Sequence, residues 1–235
     1  MNFNPRLRTL LPLLCLGLAV LAGAALNAAN GEEEIHGRID MLAKGGKGPA
    51  RGTDVHQAIV YFEPAGAQHK SLHAPDKPFE MVSKSKEFVP HVLAIPRGST
   101  VSFPNQDVIL HNVFSVSPGN AFDLGFYGTG GSKDKKFDTA GLVRVFCNVH
   151  HGMVAYILVL DTPYYTAAAA DGTFTLSGLP KGPGELTVWH EQADPFKTTL
   201  TLPVATPVSA HLEVVRPQVP VHNKKDGQSY FGDAY

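Results

Sequence analysis

The sequence predicts an all-β protein made of one or two β-sandwiches. Three observations carry that prediction. Short runs such as "EIHGRIDML", "QAIVYFEP" and "FKTTLTLPV" alternate apolar and polar residues with the two-residue period of strands. Gly (23) and Pro (18) are frequent in the 235 residues and supply the turns between them. No long amphipathic helix is legible, and the Ala run at 167–170 is too short to stand as one. At 43% hydrophobic and 17% charged residues a packed core is feasible and disorder is not the default. A net charge of −1 gives no basic stripe, so no nucleic acid is expected as a partner.

The first element is a targeting segment, residues 1–28. Arg6 and Arg8 precede the apolar run "LLPLLCLGLAVLAGAAL", and small residues follow, so cleavage is expected after Ala24 or Ala28. The alternative is a retained anchor, because the run approaches the roughly 20 residues that span a bilayer. With cleavage no stable membrane insertion remains. Cys15 lies inside the apolar run and leaves with it. The mature chain then has one cysteine, Cys147, and no internal disulfide. A lone thiol in an oxidising compartment is either a small buried hydrophobe or a thiolate held by a metal.

The strands follow in order. "EIHGRIDML" and "VHQAIVYFEP" flank the Gly/Lys-rich turn "AKGGKGPARGTD". "KEFVPHVLAIPRG", "STVSFPNQD" and "VILHNVFSVS" come next, then a loop-rich stretch, "PGNAFDLGFYGTGGSKDKK". "GLVRVFC" and "MVAYILVLD" flank a tight connection. After Asp161 a linker, a strand, a Gly/Pro turn and further strands run to Val215. The end of the chain, 216–235, is aperiodic and polar, and reads as a flexible or docking tail.

The connection, "FCNVHHGM", carries the chemistry. Strand parity puts Val143, Val145 and Cys147 on one face, while Arg144 on the other face points to solvent. His111 shares a face with Ile109 and Val113. One thiol and one imidazole are therefore core-facing, and the loop that Cys147 opens adds a histidine and Met153. By spacing alone either His150 or His151 serves as that histidine. Two imidazoles, a thiolate and a thioether favour copper over magnesium, calcium or manganese, and a trigonal His₂Cys set with a weak axial Met is the electron-transfer copper site. Zinc has no use for the thioether.

"FVPHVLAIPRGSTVSFPNQDVILHNVFSV" followed by "DTAGLVRVFCNVHHGMVAYILVL" resembles the cupredoxin family of blue-copper proteins, which includes plastocyanin, pseudoazurin and amicyanin. The short loop is most similar to amicyanin, and the whole is similar to bacterial proteins described as methylamine-utilisation or plastocyanin-like. The resemblance covers 86–161. It implies a Greek-key β-sandwich holding one type 1 copper ion, with His111, Cys147, His150 and Met153 as ligands. It places the ligand third after the cysteine, which selects His150. His151, where amicyanin-like loops carry Pro, would be a solvated histidine near the metal. Asn112 would tie the ligand strand to the loop by a hydrogen bond. The resemblance also implies a periplasmic electron carrier, not an enzyme, with a cytochrome or dehydrogenase as redox partner. The alternatives are a copper storage or delivery protein, or a copper enzyme on the same fold. Storage would favour repeated Met or His, and an enzyme needs an open coordination position that Met153 would fill.

Residues 164–215, with "DGTFTLSGLPKGPGELTVWHEQ", resemble small carboxypeptidase-regulatory or transthyretin-like β modules, whose expected role is spacing or protein binding. The expected domains are a copper domain at 31–161 including the N-terminal strands, and this module. In the other arrangement 31–64 pairs with the module and the copper domain is an insertion. Of the remaining histidines, His91 reads as a packed core or edge residue, and His190 as a surface residue at a strand end. His69 and His73 are loop residues near Pro75 and Pro78. His36, His56, His211 and His222 carry no signal.

Overall fold

The computed structural model describes residues 32–66, 72, 74–220 and 222–230. The expected targeting segment, His69 and His73 lie outside the described residues. Seventeen strands run through the described part. The first two are β1 (Glu33–Leu42) and β2 (Ile59–Pro64). Then come β3 (Phe79–Glu80), β4 (Val82–Lys84), β5 (Glu87–Val89), β6 (Val92–Pro96), β7 (Thr100–Ser102), β8 (His111–Ser115), β9 (Phe122–Tyr127), β10 (Asp134–Lys136), β11 (Gly141–Phe146) and β12 (Val154–Leu160). The last five are β13 (Tyr165–Ala167), β14 (Thr173–Leu179), β15 (Gly182–Trp189), β16 (Phe196–Leu202) and β17 (Val208–Glu213).

The N-terminal strands do not join the central domain, which corrects the expected 31–161 unit. Strand β1 lies between β14 (antiparallel) and β17 (parallel), and β2 lies between β13 and β15. The two sheets, β14-β1-β17 and β13-β2-β15-β16, close on a core that includes Ile35, Ile39, Phe62, Leu179 and Leu186. Backbone approach enforces the pairing. A Cβ on Gly37 would lie 2.4 Å from the Phe174 ring and 2.5 Å from the Val208 carbonyl oxygen, so only glycine lets β14 and β17 close on β1.

The central sandwich is inserted between β2 and β13. Its larger sheet has the order β6-β12-β11-β8-β9, and the facing sheet β10-β7-β3. Between them Phe103, Phe137, Val143, Val145 and Ile157 are buried. The stretch 118–136, read as loop, contains β9 and β10. Strand β9 pairs with β8, but a register shift between Asn112 and Phe114 and a left-handed Gly125 (φ 69°) break its alternation.

All seven residues of β12 are buried, because both its faces are covered. Ala155, Ile157 and Val159 face the central core. Val154, Tyr156, Leu158 and Leu160 pack with Ile59 and Trp189 of the outer sandwich. The central sheet thus has an apolar backing, and Cys147 lies at the end of the sheet where β11 turns into β12.

Candidate metal centre

Cys147 directly follows β11, on the core face that parity assigned, and is a free, fully buried thiol. Strands β11 and β12 pair up to Phe146 and Val154, so residues 147–153 form the hairpin connection. The connection is closed at its base. The Cys147 N–H donates to the Met153 carbonyl at 3.1 Å, and the Met153 N–H donates to the His150 carbonyl at 3.0 Å. Three candidate ligands are therefore tied to one rigid loop. His111, at the start of β8, faces the same core and is fully buried.

The Cys147 sulfur lies 3.7 Å from His111 Nδ1 and 3.8 Å from His150 Nδ1. All three donor atoms fall within 4.8 Å of one another. An ion about 2.3 Å from sulfur and about 2.05 Å from nitrogen separates those donors by about 3.8 Å at a trigonal angle, and by about 3.55 Å at a tetrahedral one. The two observed sulfur–nitrogen separations are close enough for the thiol and both imidazoles to hold one ion. Met153 is fully buried in the core cluster that contains Cys147. The residue types and spacings fit a soft, copper-type ion.

Asp107 sets the His111 tautomer. His111 Nε2 is 2.7 Å from Asp107 Oδ2, so the proton sits on Nε2 and the Nδ1 lone pair faces the thiol. Asp107 also accepts from the backbone N–H groups of Ser85 (2.6 Å) and Lys86 (2.9 Å), the left-handed pair that turns β4 into β5. The Lys86 N–H, then His111 and the Ser85 N–H, hold the Asp107 carboxyl below its ordinary pKa despite partial desolvation. Asp107 was not among the candidate site residues read from the sequence. Its signal was its position four residues before His111. Burial, then the neighbouring His111 and Lys86, lowers the His150 pKa, which keeps that ring neutral and able to ligate.

Asn112 is fully buried but does not reach the loop directly. Its Nδ2 donates to Asp123 Oδ1 at 2.7 Å, and its Oδ1 has no protein partner. The link to the loop runs further. The Lys225 ammonium donates to Asp123 Oδ2 at 2.6 Å, and the Lys225 N–H donates to Asn148 Oδ1 at 2.9 Å.

Lys225 belongs to the end of the chain read as a flexible or docking tail, and residues 222–230 of it pack over the candidate ligand loop. His222 stacks between Phe146 (4.2 Å between ring centroids) and His151 (4.6 Å). The Tyr230 hydroxyl donates to the Cys147 carbonyl at 2.5 Å. His151 is thus half-buried, with ring contacts to His222 and Tyr230. Burial, then Cys147 and Asp226, pushes the Tyr230 phenol up to about 12. His190 is buried too, against expectation. Its Nε2 lies 3.2 Å from the Asp54 carbonyl oxygen, and its Nδ1 accepts from the Gln192 N–H at 3.1 Å. His91, as expected, is packed: it pairs with Glu191 and lies edge-on to Tyr156.

No protein-family model matches this chain, and no curated protein does. Among solved structures, a reduced amicyanin variant aligns with 37% of this chain and 87% of its own, at 20% identity and a TM-score of 0.35. A purple cupredoxin from Nitrosopumilus maritimus aligns over 35% of this chain and 99% of its own, at 23% identity and a TM-score of 0.32. A copper-containing nitrite reductase from Thermus scotoductus SA-01 aligns over 42% of this chain at 28% identity and a TM-score of 0.35, with 25% of the enzyme's own chain covered.

Proposed function

We propose that this chain is an exported type 1 copper protein that carries single electrons between periplasmic redox proteins, and that it is not an enzyme. The observation that carries the reading is the donor triangle: one buried thiol with two imidazole nitrogens at 3.7 and 3.8 Å. Copper bound there would supply a Cu(II)/Cu(I) couple.

The protein's own part is to hold the ligands still. Cys147 would contribute the thiolate, His111 and His150 the imidazoles, and Met153 a weak thioether ligand. Asp107 fixes the His111 ring from behind, and the closed hairpin fixes Cys147, His150 and Met153 relative to one another. Cys147, His111 and Met153 are fully buried, so solvent does not compete at those positions. Half-buried His150 is the one member of the set with an edge toward the surface, and it is the natural point of electron entry and exit. A cytochrome or dehydrogenase is the expected class of partner. The solvent-exposed Val108 and Val149 leave apolar surface near that part of the chain for docking.

The visible and electron-paramagnetic-resonance spectra of the mature, Cu(II)-loaded protein test this. An intense thiolate-to-copper band with narrow copper hyperfine splitting is expected. A pale protein with ordinary wide splitting would overturn the reading and favour copper storage or delivery, or a copper enzyme.

A further inference from the structure

The ligand loop is held from outside as well as from within. Inside, the Cys147 N–H and the Met153 carbonyl close it. Outside, residues 222–230 form a compact turn of their own. The Gly227 N–H donates to the Lys224 carbonyl, the Lys224 N–H donates to the Gln228 carbonyl, and Gly227 takes the left-handed conformation (φ 82°) that the Asp-Gly turn needs. The turn brings His222 and Tyr230 back to the same place. His151 is clasped there, with His222 stacked on it at 4.6 Å and Tyr230 edge-on at 5.1 Å. The clasp reaches the first ligand itself, because the Tyr230 hydroxyl takes the Cys147 carbonyl. Lys225 fastens the other side through Asn148 and Asp123.

We propose that residues 222–230 are a strap that clamps the ligand loop, with Tyr230 as a positioning residue for Cys147, and that metal enters and leaves when the strap lifts. The strap is suited to lifting. It ends the described chain, belongs to neither sandwich core, and is fastened by one ion pair, a few hydrogen bonds and ring contacts. The Lys225–Asp123 pair is about one-third to two-fifths exposed, at 32% and 42%, so salt weakens it. The statement about metal exchange rests on the copper reading; the clamping of the loop does not.

Two full-length variants test the strap, Tyr230→Phe and Lys225→Ala. Tyr230→Phe keeps the ring and removes only the donor to Cys147. In the metal-free protein, amide hydrogen exchange at residues 148–152 should accelerate about fivefold in Tyr230→Phe, the effect of one ordinary hydrogen bond, while exchange in the outer sandwich stays as in the wild type. In the copper-loaded protein, transfer of Cu(I) to a strong chelator should accelerate similarly, and the thiolate-to-copper band should move. Loop exchange unchanged in both variants overturns the strap. A band that stays in place in Tyr230→Phe overturns the positioning role. If loop exchange accelerates but no protein, wild type included, shows a blue band, the strap stands and the type 1 reading falls.

Discussion

Replacing Asp107 by Asn probes the support behind the metal centre without touching a ligand. The carboxylate accepts three N–H groups: Ser85 at Oδ1, and Lys86 and His111 at Oδ2. Asparagine has one oxygen and one NH2. If the oxygen takes the Oδ2 position, the NH2 opposes the Ser85 N–H. If it takes the Oδ1 position, the NH2 opposes both Lys86 and His111. Either way a charge-assisted bond worth about 1.5–3 kcal/mol is lost, and the bond to His111 is weakened or gone. Loss of such support behind a histidine ligand lowers metal affinity by about 10–100-fold, or about 1.4–2.8 kcal/mol. The expected results are a lower affinity in competition against a Cu(I) chelator and a lower melting temperature without metal. Both are read at neutral pH. The Asp107 pKa is depressed from 3.8, so its contribution is present above that value and disappears as pH falls through the lowered one. An affinity equal to that of the wild type within titration error would show that Asp107 does not hold His111 for a metal.

Three further outcomes are expected. Met153→Leu should keep copper bound and raise its reduction potential, since loss of the thioether favours Cu(I); an unchanged potential in a redox titration would remove Met153 from the ligand set. The buried His190 has its pKa lowered from 6.5, chiefly by desolvation, so its neutral form is the folded one and stability present above pH 6.5 should be lost as pH falls through the lowered value. His190→Gln should reduce that fall in melting temperature, and identical slopes for the two proteins would clear His190 of the effect. Gly184→Ala should destabilise the outer sandwich by about 1–3 kcal/mol in denaturant unfolding, because its Cβ would meet the Phe62 ring at 2.3 Å and the Glu63 carbonyl oxygen at 2.6 Å. A neutral result there would mean that β2 and β15 can separate without cost.

How far the sequence could be read depended on how local each feature is and how rare its chemistry is. The burial of Cys147 followed from the alternation of β11 alone, and spacing gave it a loop histidine as neighbour but left His150 and His151 equal; only the family resemblance selected His150, the one the fold brings to the thiol. The all-β class followed in the same way from period-two runs. Partner choice did not, because alternation says which face of β1 is buried and nothing about what it pairs with. The observed partners, β14 and β17, lie far along the chain, and the signal for them is the absent side chain of Gly37. The resemblance implied that Asn112 would tie the ligand strand to the loop, but a side-chain amide takes whichever acceptor the fold brings up, and β9 brought Asp123.

The supports of the metal centre illustrate the same limit more sharply. A thiol, two imidazoles and a thioether are uncommon enough together that their spacing speaks. An aspartate in a turn and a tyrosine in an aperiodic tail are ordinary, and what makes each matter is a single hydrogen bond, Asp107 to His111 and Tyr230 to the Cys147 carbonyl 83 residues away. Residues 222–230 show no hydrophobic period because none of them belongs to the core of either sandwich. They are held by polar and ring contacts to the ligand loop, to Phe146 and to Asp123 on β9, and those leave no periodic trace in the sequence. Variation at residues 222–230 should therefore act on the ligand loop while leaving both cores as they are.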